Sequence, residues 1–323
     1  MGKILVTGAS GRLGRALVSG LVFNNEKIRA VVRHSASAVF TDAVELFAHD
    51  LSLAPLPASA FKGVDRVVHL AGLIGEYPYS QLMLHNAKAT ENTLANCPPS
   101  VKRVVIASSI SVYSEYKGKL VDETFSTKTE SPYGKSKLEA EKAARRHCPA
   151  LPITFLRFGM IYGKEFTDGY FSVFSLLSKG KMSIIGDGKN RMPLLHVDDA
   201  VSAIILSLSA HTPPCREYNI VGEEKCTQEE LLSIAARELG VPHAKQHMGR
   251  NFAIFSSSLI SALPAFKKPK FSSENIRQLS MDRAYSTERA ENELCFKARV
   301  KLASGIKEMA GIFLKTRGFY GKS

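Results

Sequence analysis

Between residue 3 and about residue 158 the chain alternates short β-branched apolar runs with longer stretches whose apolar positions recur at helical spacing. Strands separated by amphipathic helices are the signature of parallel βαβ units. The runs Lys3–Thr7, Lys27–Arg33, Val44–His49, Asp65–Ala71, Lys102–Ser108 and Ile153–Phe158 predict at least six strands. Helices are predicted over Arg12–Asn24, Ser80–Asn96 and Ser131–His147. Together these elements predict a doubly wound parallel α/β sheet for a first domain, residues 1–165. Beyond about residue 160 the alternation becomes irregular, and a smaller helix-rich lobe is predicted over 166–323, with a turn at Gly186-Asp187-Gly188 and a helix over Thr227–Leu239. A helix starting at Asp198 or Asp199 is expected to return the chain to the first lobe over 196–215. No internal repeat and no low-complexity segment interrupts this plan.

Composition narrows the class. A chain of 323 residues with 45% hydrophobic content can bury a large core and form two lobes around one cleft. No apolar run reaches the length of a membrane span, and the strand pattern at Lys3-Ile4-Leu5-Val6 leaves no room for a signal peptide, so the expected location is the cytoplasm. The five cysteines, Cys97, Cys148, Cys215, Cys226 and Cys295, are odd in number and scattered, with no C-x-x-C pair. They are expected to be reduced structural thiols, with no metal site. The formal charge of +13 is spread along the chain with only short clusters such as Lys267-Lys268-Pro269-Lys270, and no aromatic–basic interleaving marks a nucleic-acid surface.

The first strand runs into Thr7-Gly8-Ala9-Ser10-Gly11-Arg12-Leu13-Gly14, a glycine-rich turn that opens a helix. A pyrophosphate needs backbone N–H groups at a helix N-terminus and no side chains in the way, so Gly8, Gly11 and Gly14, with Ser10, Arg12 and Leu13 between them, predict a dinucleotide site. Their spacing is G-x-x-G-x-x-G, not G-x-G-x-x-G. The end of the second strand carries Arg33 where an acid would select NAD by accepting from the ribose 2′-hydroxyl. Arg33, with Arg12, is suited to grip a 2′-phosphate, which points to NADP(H) as the preferred cofactor and NAD(H) as the alternative if Arg33 is merely a solvated strand end.

A second motif, Tyr133-Gly134-Lys135-Ser136-Lys137, opens the helix predicted near residue 131. Tyrosine ionises at about 10, too high for proton transfer at neutral pH unless a fixed cation lies close. Lys137 stands four residues on, on the same helix face, and can serve as that cation.

With both motifs, the chain resembles an extended short-chain dehydrogenase/reductase, the superfamily that includes the NAD-dependent epimerases and dehydratases. His49-Asp50-Leu51 resembles the family's adenine-contacting turn, which implicates Asp50 and Leu51. The segment Val67-Val68-His69-Leu70-Ala71-Gly72 resembles the strand under the cofactor, which implicates Leu70, Ala71 and Gly72. Asn86, with Thr90 and Asn92, fits the helix carrying the family asparagine, where it either orders a proton relay or holds two helices together. Ser108-Ser109-Ile110-Ser111-Val112-Tyr113 resembles the segment with the catalytic serine, implied to be Ser109, with Ser108 and Ser111 as alternatives. The resemblance implies that Ser109 holds the reacting oxygen, Tyr133 exchanges its proton, and Lys137 tunes Tyr133 and orients the nicotinamide ribose. It also implies a homodimer through helices of the first lobe.

Later segments extend the match: Leu156-Arg157-Phe158-Gly159-Met160-Ile161-Tyr162-Gly163, His196-Val197-Asp198-Asp199 and Tyr218-Asn219-Ile220-Val221-Gly222. Two departures bear on substrate. Nucleotide-sugar members place an asparagine where this chain has Met160, and an arginine where it has Met192, with Arg191 shifted by one. Methionines suit an apolar or adaptable pocket, and are also ordinary core residues. Met160, Arg191, Ser109 and Tyr133 are therefore the candidate substrate contacts. The phrase Arg157–Gly163 and the stretches Asn251–Phe266 and Arg283–Ala290 are similar to the hydroxysteroid and dihydroflavonol branch. The apolar stretch Phe252–Phe266 either covers the cleft or touches a membrane surface peripherally. The expected function is NAD(P)-dependent interconversion of a secondary alcohol and a ketone on an apolar or mixed small molecule. The alternatives are a nucleotide-sugar 4-epimerase or dehydratase with tightly bound NAD, and a non-catalytic dinucleotide sensor.

Overall fold

The structure, a computed structural model, describes residues 2–33, 40–223, 225–262 and 273–320. Seven strands form the central sheet: β1 (Lys3–Thr7), β2 (Ile28–Val32), β3 (Val44–Ala48), β4 (Val64–His69), β5 (Arg103–Ser109), β6 (Ile153–Phe158) and β7 (Arg216–Ile220). They lie in the order β7-β6-β5-β4-β1-β2-β3, and every neighbouring pair is parallel. The strand order reverses between β1 and β4, which opens a crevice at their carboxyl ends where ligands of doubly wound sheets bind.

Helices cover both faces because buried parallel strands leave neither face for solvent. On one face pack α1 (Arg12–Phe23) and α5 (Val197–Ser209), with Leu17, Leu21, Val201 and Ile204 against Ile4, Val68 and Leu156. The other face is covered by α2, a helical run of Tyr79–Leu82, a π-helical Met83–Lys88 and Ala89–Leu94, and by α3 (Pro132–Arg145). There Ala89, Leu94 and Ala144 pack on Leu5, Val104 and Phe155. The second lobe has its own core, built by α4 (Thr167–Ser178), α6 (Gln228–Leu239) and α10 (Leu302–Tyr320), with Phe174, Leu232, Ile306 and Phe313 at its centre. A capping box at Thr227 and Glu230 sets the start of α6, and Gly240 in the left-handed region closes its end.

The return to the first lobe extends past residue 215. Strand β7 pairs with β6, and α9 (Glu288–Leu294) packs on it, so Ala290, Leu294 and Phe296 belong to the first lobe's core. Buried Asp199 fastens this crossing by accepting the backbone N–H groups of Arg299 at 2.9 Å and Val300 at 3.1 Å.

The thiol expectation needs correction for two residues. Cys148 and Cys215 are paired as a disulfide, their Cα atoms 6.2 Å apart, joining the chain after α3 to the start of β7. Sequence separation of 67 residues hid a proximity that only the β6–β7 pairing creates. The apolar stretch Phe252–Phe266 is described as far as Ala262, within α7 (Arg250–Ala262), and is followed after the gap by α8 (Ser273–Leu279). Lys267-Lys268-Pro269-Lys270 lies outside the described residues. No helix among the described residues is long and apolar enough to cross a membrane.

Replacing Asp199 by alanine removes the acceptor of two part-buried backbone N–H donors. Urea denaturation of Asp199→Ala is expected to show a loss of about 1–3 kcal/mol, and an unchanged midpoint would contradict this role for the carboxylate.

Candidate functional site

The glycine turn lies between β1 and α1, at the switch point of the sheet. Gly8 adopts φ +67°, and a Cβ there would come within 2.6 Å of the Ala71 nitrogen. A Cβ on Gly14 would strike the Gly8 carbonyl oxygen. Gly11 caps α1 without supplying a side-chain oxygen, and the first turn holds no acid, so the helix N-terminus keeps its N–H groups and positive end for an anion. This cradle fits a dinucleotide pyrophosphate. Ser10 is exposed at its lip, Leu13 is half-buried, and Leu70 and Ala71 follow β4 on its far side, with Leu70 N–H donating to Thr7 O at 3.2 Å.

At the end of β2, Arg33 is exposed and its charge helps hold the Asp50 carboxyl below its ordinary range, after the hydrogen bonds from Ser52. Leu51 is buried, and its carbonyl accepts from Asn92 at 2.8 Å. The Arg12 guanidinium lies 4.9 Å over the Phe166 ring and 3.6 Å from Asp168 at the start of α4.

Strand β5 delivers the serine. Successive residues of a strand face opposite ways, so Ser108 and Ser109 separate. Ser108 Oγ donates to Glu141 at 2.6 Å, whereas Ser109 is turned toward the Tyr133 phenol and lowers its proton affinity. Ser111 donates its backbone N–H to Ser109 Oγ at 3.1 Å. Helix α3 approaches closely because a Cβ on Gly134 would strike the Ser111 carbonyl oxygen. The Ser131 cap and Pro132 at the first turn start that helix one residue before Tyr133. One turn beyond Tyr133, the buried Lys137 ammonium donates to the Ala107 carbonyl at 2.5 Å.

Burial sets the titration of this group. It pushes the Tyr133 phenol up to about 12 against the lowering effect of Ser109. It also pulls Lys137 down to about 8, against the charge of Glu141 four residues on. His69, on β4, falls to about 3 through its own burial and the nearby Lys137 charge, so it is neutral. It ties Thr7 at 2.8 Å and Thr90 at 3.0 Å.

Asn86 lies behind Tyr133 and Lys137. Its amide accepts from Leu73 N–H at 2.8 Å and donates to Leu73 O at 3.1 Å and to Ser136 Oγ at 2.8 Å. Ser136 in turn donates to the Tyr133 carbonyl at 2.7 Å. A Cβ on Gly72 would come within 2.6 Å of Asn86 Oδ1, so this loop and α2 are fitted to each other. The side chain therefore positions α3 against the loop after β4.

The sequence reading missed the support under this group. Glu141, one turn past Lys137, receives Arg157 in a bidentate pair at 2.9 and 2.7 Å, and Arg157 also donates to Tyr113 OH at 2.7 Å. Burial would raise the Glu141 carboxyl, but the bonds and charge of Arg157 hold it below its ordinary value. A carboxylate at i+4 from Lys137 was the available signal.

The two candidate substrate contacts diverge. Met160 is half-buried, with its sulfur 3.4 Å from Arg283 Nη2. Arg191 is instead held by Asp282, donating from Nε at 2.8 Å and Nη2 at 2.7 Å. That pair, together with backbone donors, keeps Asp282 far below the carboxylate range. Met192 is buried in the second lobe's core. The loop 114–130 packs against the same region, with Gly118 N–H on Asp282 at 2.9 Å and Glu115 3.4 Å from Arg250 at the start of α7. Arg250, Asn251, Ile254, Phe255 and Arg277 line an open cavity of about 530 Å³.

Comparison with known proteins places this geometry in context. The profile of the NAD dependent epimerase/dehydratase family matches residues 4–221. An uncharacterized UDP-glucose epimerase of Bacillus subtilis, YtcB, is 30% identical over 264 residues, 72% of this chain and 80% of that protein. The 2-alkyl-3-oxoalkanoate reductase of Stenotrophomonas maltophilia is 25% identical over 323 residues, 95% of this chain and 98% of that protein. Among solved structures, MoeE5 in complex with UDP-glucuronic acid and NAD superposes with a TM-score of 0.76 at 25% identity, covering 98% of this chain and all of that one, 100%.

Because burial lowers the folded-state value of Lys137, its charged form penalises the fold below about pH 8, and the penalty vanishes above its ordinary value of 10.5. Lys137→Met is accordingly expected to be more stable than wild type at pH 7, on the order of 1–3 kcal/mol, with the gap closing as pH rises through that window. Thermal unfolding of both proteins across pH checks this, and a gap independent of pH would contradict it.

Proposed function

The chain belongs to the NAD dependent epimerase/dehydratase family, and on that premise we propose that it is an NADP(H)-preferring oxidoreductase interconverting a secondary alcohol and a ketone on an apolar or mixed small molecule. The bound cofactor supplies hydride transfer at the substrate carbon. Gly8 to Gly14 hold its pyrophosphate at the α1 N-terminus, and Arg33, with no acid at the end of β2, favours a 2′-phosphate. Ser109 donates a hydrogen bond to the reacting oxygen, and Tyr133 gives that oxygen its proton in reduction and takes it back in oxidation. The Lys137 charge lowers the cost of the phenolate that reduction leaves behind. Asn86 and Glu141 position the helix that carries both groups.

The observation that carries the choice of a ketone or alcohol is the Arg191–Asp282 pair. A diphosphate in a partly desolvated cleft needs charge-assisted hydrogen bonds. At the positions where nucleotide-sugar relatives supply them, this chain has the half-buried Met160 and the buried Met192, and its shifted arginine is committed to a carboxylate. The end-to-end similarity to an oxoalkanoate reductase supports the same reading.

A second reading, a nucleotide-sugar epimerase with retained NAD, is favoured by the 30% identity to a UDP-glucose epimerase and the fold shared with MoeE5. It predicts that UDP-glucose raises the thermal midpoint of the protein. No shift at millimolar UDP-glucose would count against it.

Two substitutions test the proposal. Tyr133→Phe is expected to lower kcat by about 10²–10⁴-fold while leaving NADPH affinity within a few-fold of wild type, and retained turnover would overturn the assignment. Arg33→Asp is expected to weaken NADPH by at least about tenfold and NADH much less, read by fluorescence titration. Equal effects on both cofactors would remove the NADP preference.

A further inference from the structure

Four arginines converge on the region beside Met160, and three of them have a carboxylate partner. Arg191 is paired with Asp282 at 2.7 Å, Arg250 with Glu115 at 3.4 Å and Arg277 with Glu274 at 3.8 Å. The fourth, Arg283, is the most buried, at 7% exposure, and among the described residues no carboxylate pairs with it. Its Nη1 donates to Gln278 Oε1 at 3.1 Å, and its Nη2 to Gln278 O at 2.8 Å and toward Met160 Sδ at 3.4 Å. Its Nε is buried and has no hydrogen-bond partner among the described residues. The carboxylates that reach it only through space, Glu115 and Glu274, are occupied by the Asp282 N–H, Arg250, Gln278 and Arg277.

A buried guanidinium without a counter-ion is costly, and one that persists is normally paired when the protein works. Burial drives this one toward lower proton affinity, in the direction opposite to the paired Arg191. Its setting joins it to the proposed site. Arg283 N–H donates to the Arg191 carbonyl, and the following Ala284–Tyr285 pairs in parallel with Leu120–Val121. Tyr285 packs on Tyr113, 5.6 Å between ring centroids, at the end of the segment that starts at Ser109. Met160, two residues after β6, touches the Arg283 guanidinium through its sulfur.

We propose that Arg283 is a specificity residue that receives an anionic group of the substrate, and that the substrate is therefore an organic acid carrying its ketone or alcohol on an apolar chain. This rests on the oxidoreductase reading above and narrows its substrate class. A single cation between a thioether and an amide suits a monoanion such as a carboxylate. A diphosphate carries more charge than this one free guanidinium balances, since the neighbouring arginines are already paired.

The test uses equilibrium binding, so that it does not depend on turnover. The NADPH-loaded full chain and its Arg283→Met variant are titrated with octanoate, methyl octanoate and UDP, by calorimetry and thermal unfolding. Octanoate is expected to bind wild type at least tenfold tighter than methyl octanoate, and to lose that advantage in Arg283→Met. Unchanged NADPH affinity reports that the variant is folded, and Arg283→Lys should recover part of the octanoate binding. Octanoate binding equally well to wild type and Arg283→Met would overturn the proposal, as would no preference for the acid over the ester. UDP binding that is lost in Arg283→Met, with octanoate silent, would keep Arg283 as the anion residue while overturning the oxidoreductase reading.

Discussion

The rest of the site depends on keeping the Lys137 ammonium inside the protein. A buried cation costs several kcal/mol unless its surroundings answer it, and each neighbour of Lys137 can be read as part of that answer. The Ala107 carbonyl takes its proton donor, and Glu141 lies one turn further along the same helix as a compensating charge. Glu141 would itself be an uncompensated charge, so Arg157 from β6 closes on it with two hydrogen bonds and Ser108 from β5 adds a third. Two adjacent strands thereby grip one helix through ionic hydrogen bonds. His69 stays neutral beside the cation and spends both ring nitrogens on threonines. With the helix fixed on this side and joined to Asn86 through Ser136, the Tyr133 hydroxyl meets Ser109.

Much of the fold was legible because parallel strands and their covering helices leave strong periodic patterns. The six anticipated strands match observed ones to within one or two residues at each end, and the glycine turn sits where the first strand predicted it. Strand β7 was less visible: Arg216–Ile220 is short and polar at its start, and only pairing with β6 makes it part of the sheet. The expected helix near residue 198 starts at Val197, because His196 serves as its cap. The disulfide was illegible for the same reason as β7, since both depend on which edge of the sheet the chain returns to.

The candidate site divides along similar lines. Tyr133, Lys137 and the glycines lie on local motifs, and local spacing suffices to place them. Strand alternation turns Ser108 to Glu141 and Ser109 toward Tyr133, a separation that spacing along the chain does not display. Arg191 could not be judged from sequence, because its partner Asp282 is 91 residues away and arrives with the C-terminal lobe. Arg283 stands in a stretch similar to one branch of the family, but that no carboxylate among the described residues pairs with it is visible only in three dimensions.

Exchangeable, NADP-selective redox chemistry at Tyr133, as proposed, is checked on the cofactor itself. The purified protein is denatured, any released dinucleotide identified, and the stripped protein titrated with NADPH and NADH. Little retained dinucleotide and tighter binding of NADPH are expected. Stoichiometric NAD that survives purification and does not exchange would contradict that chemistry and favour an epimerase.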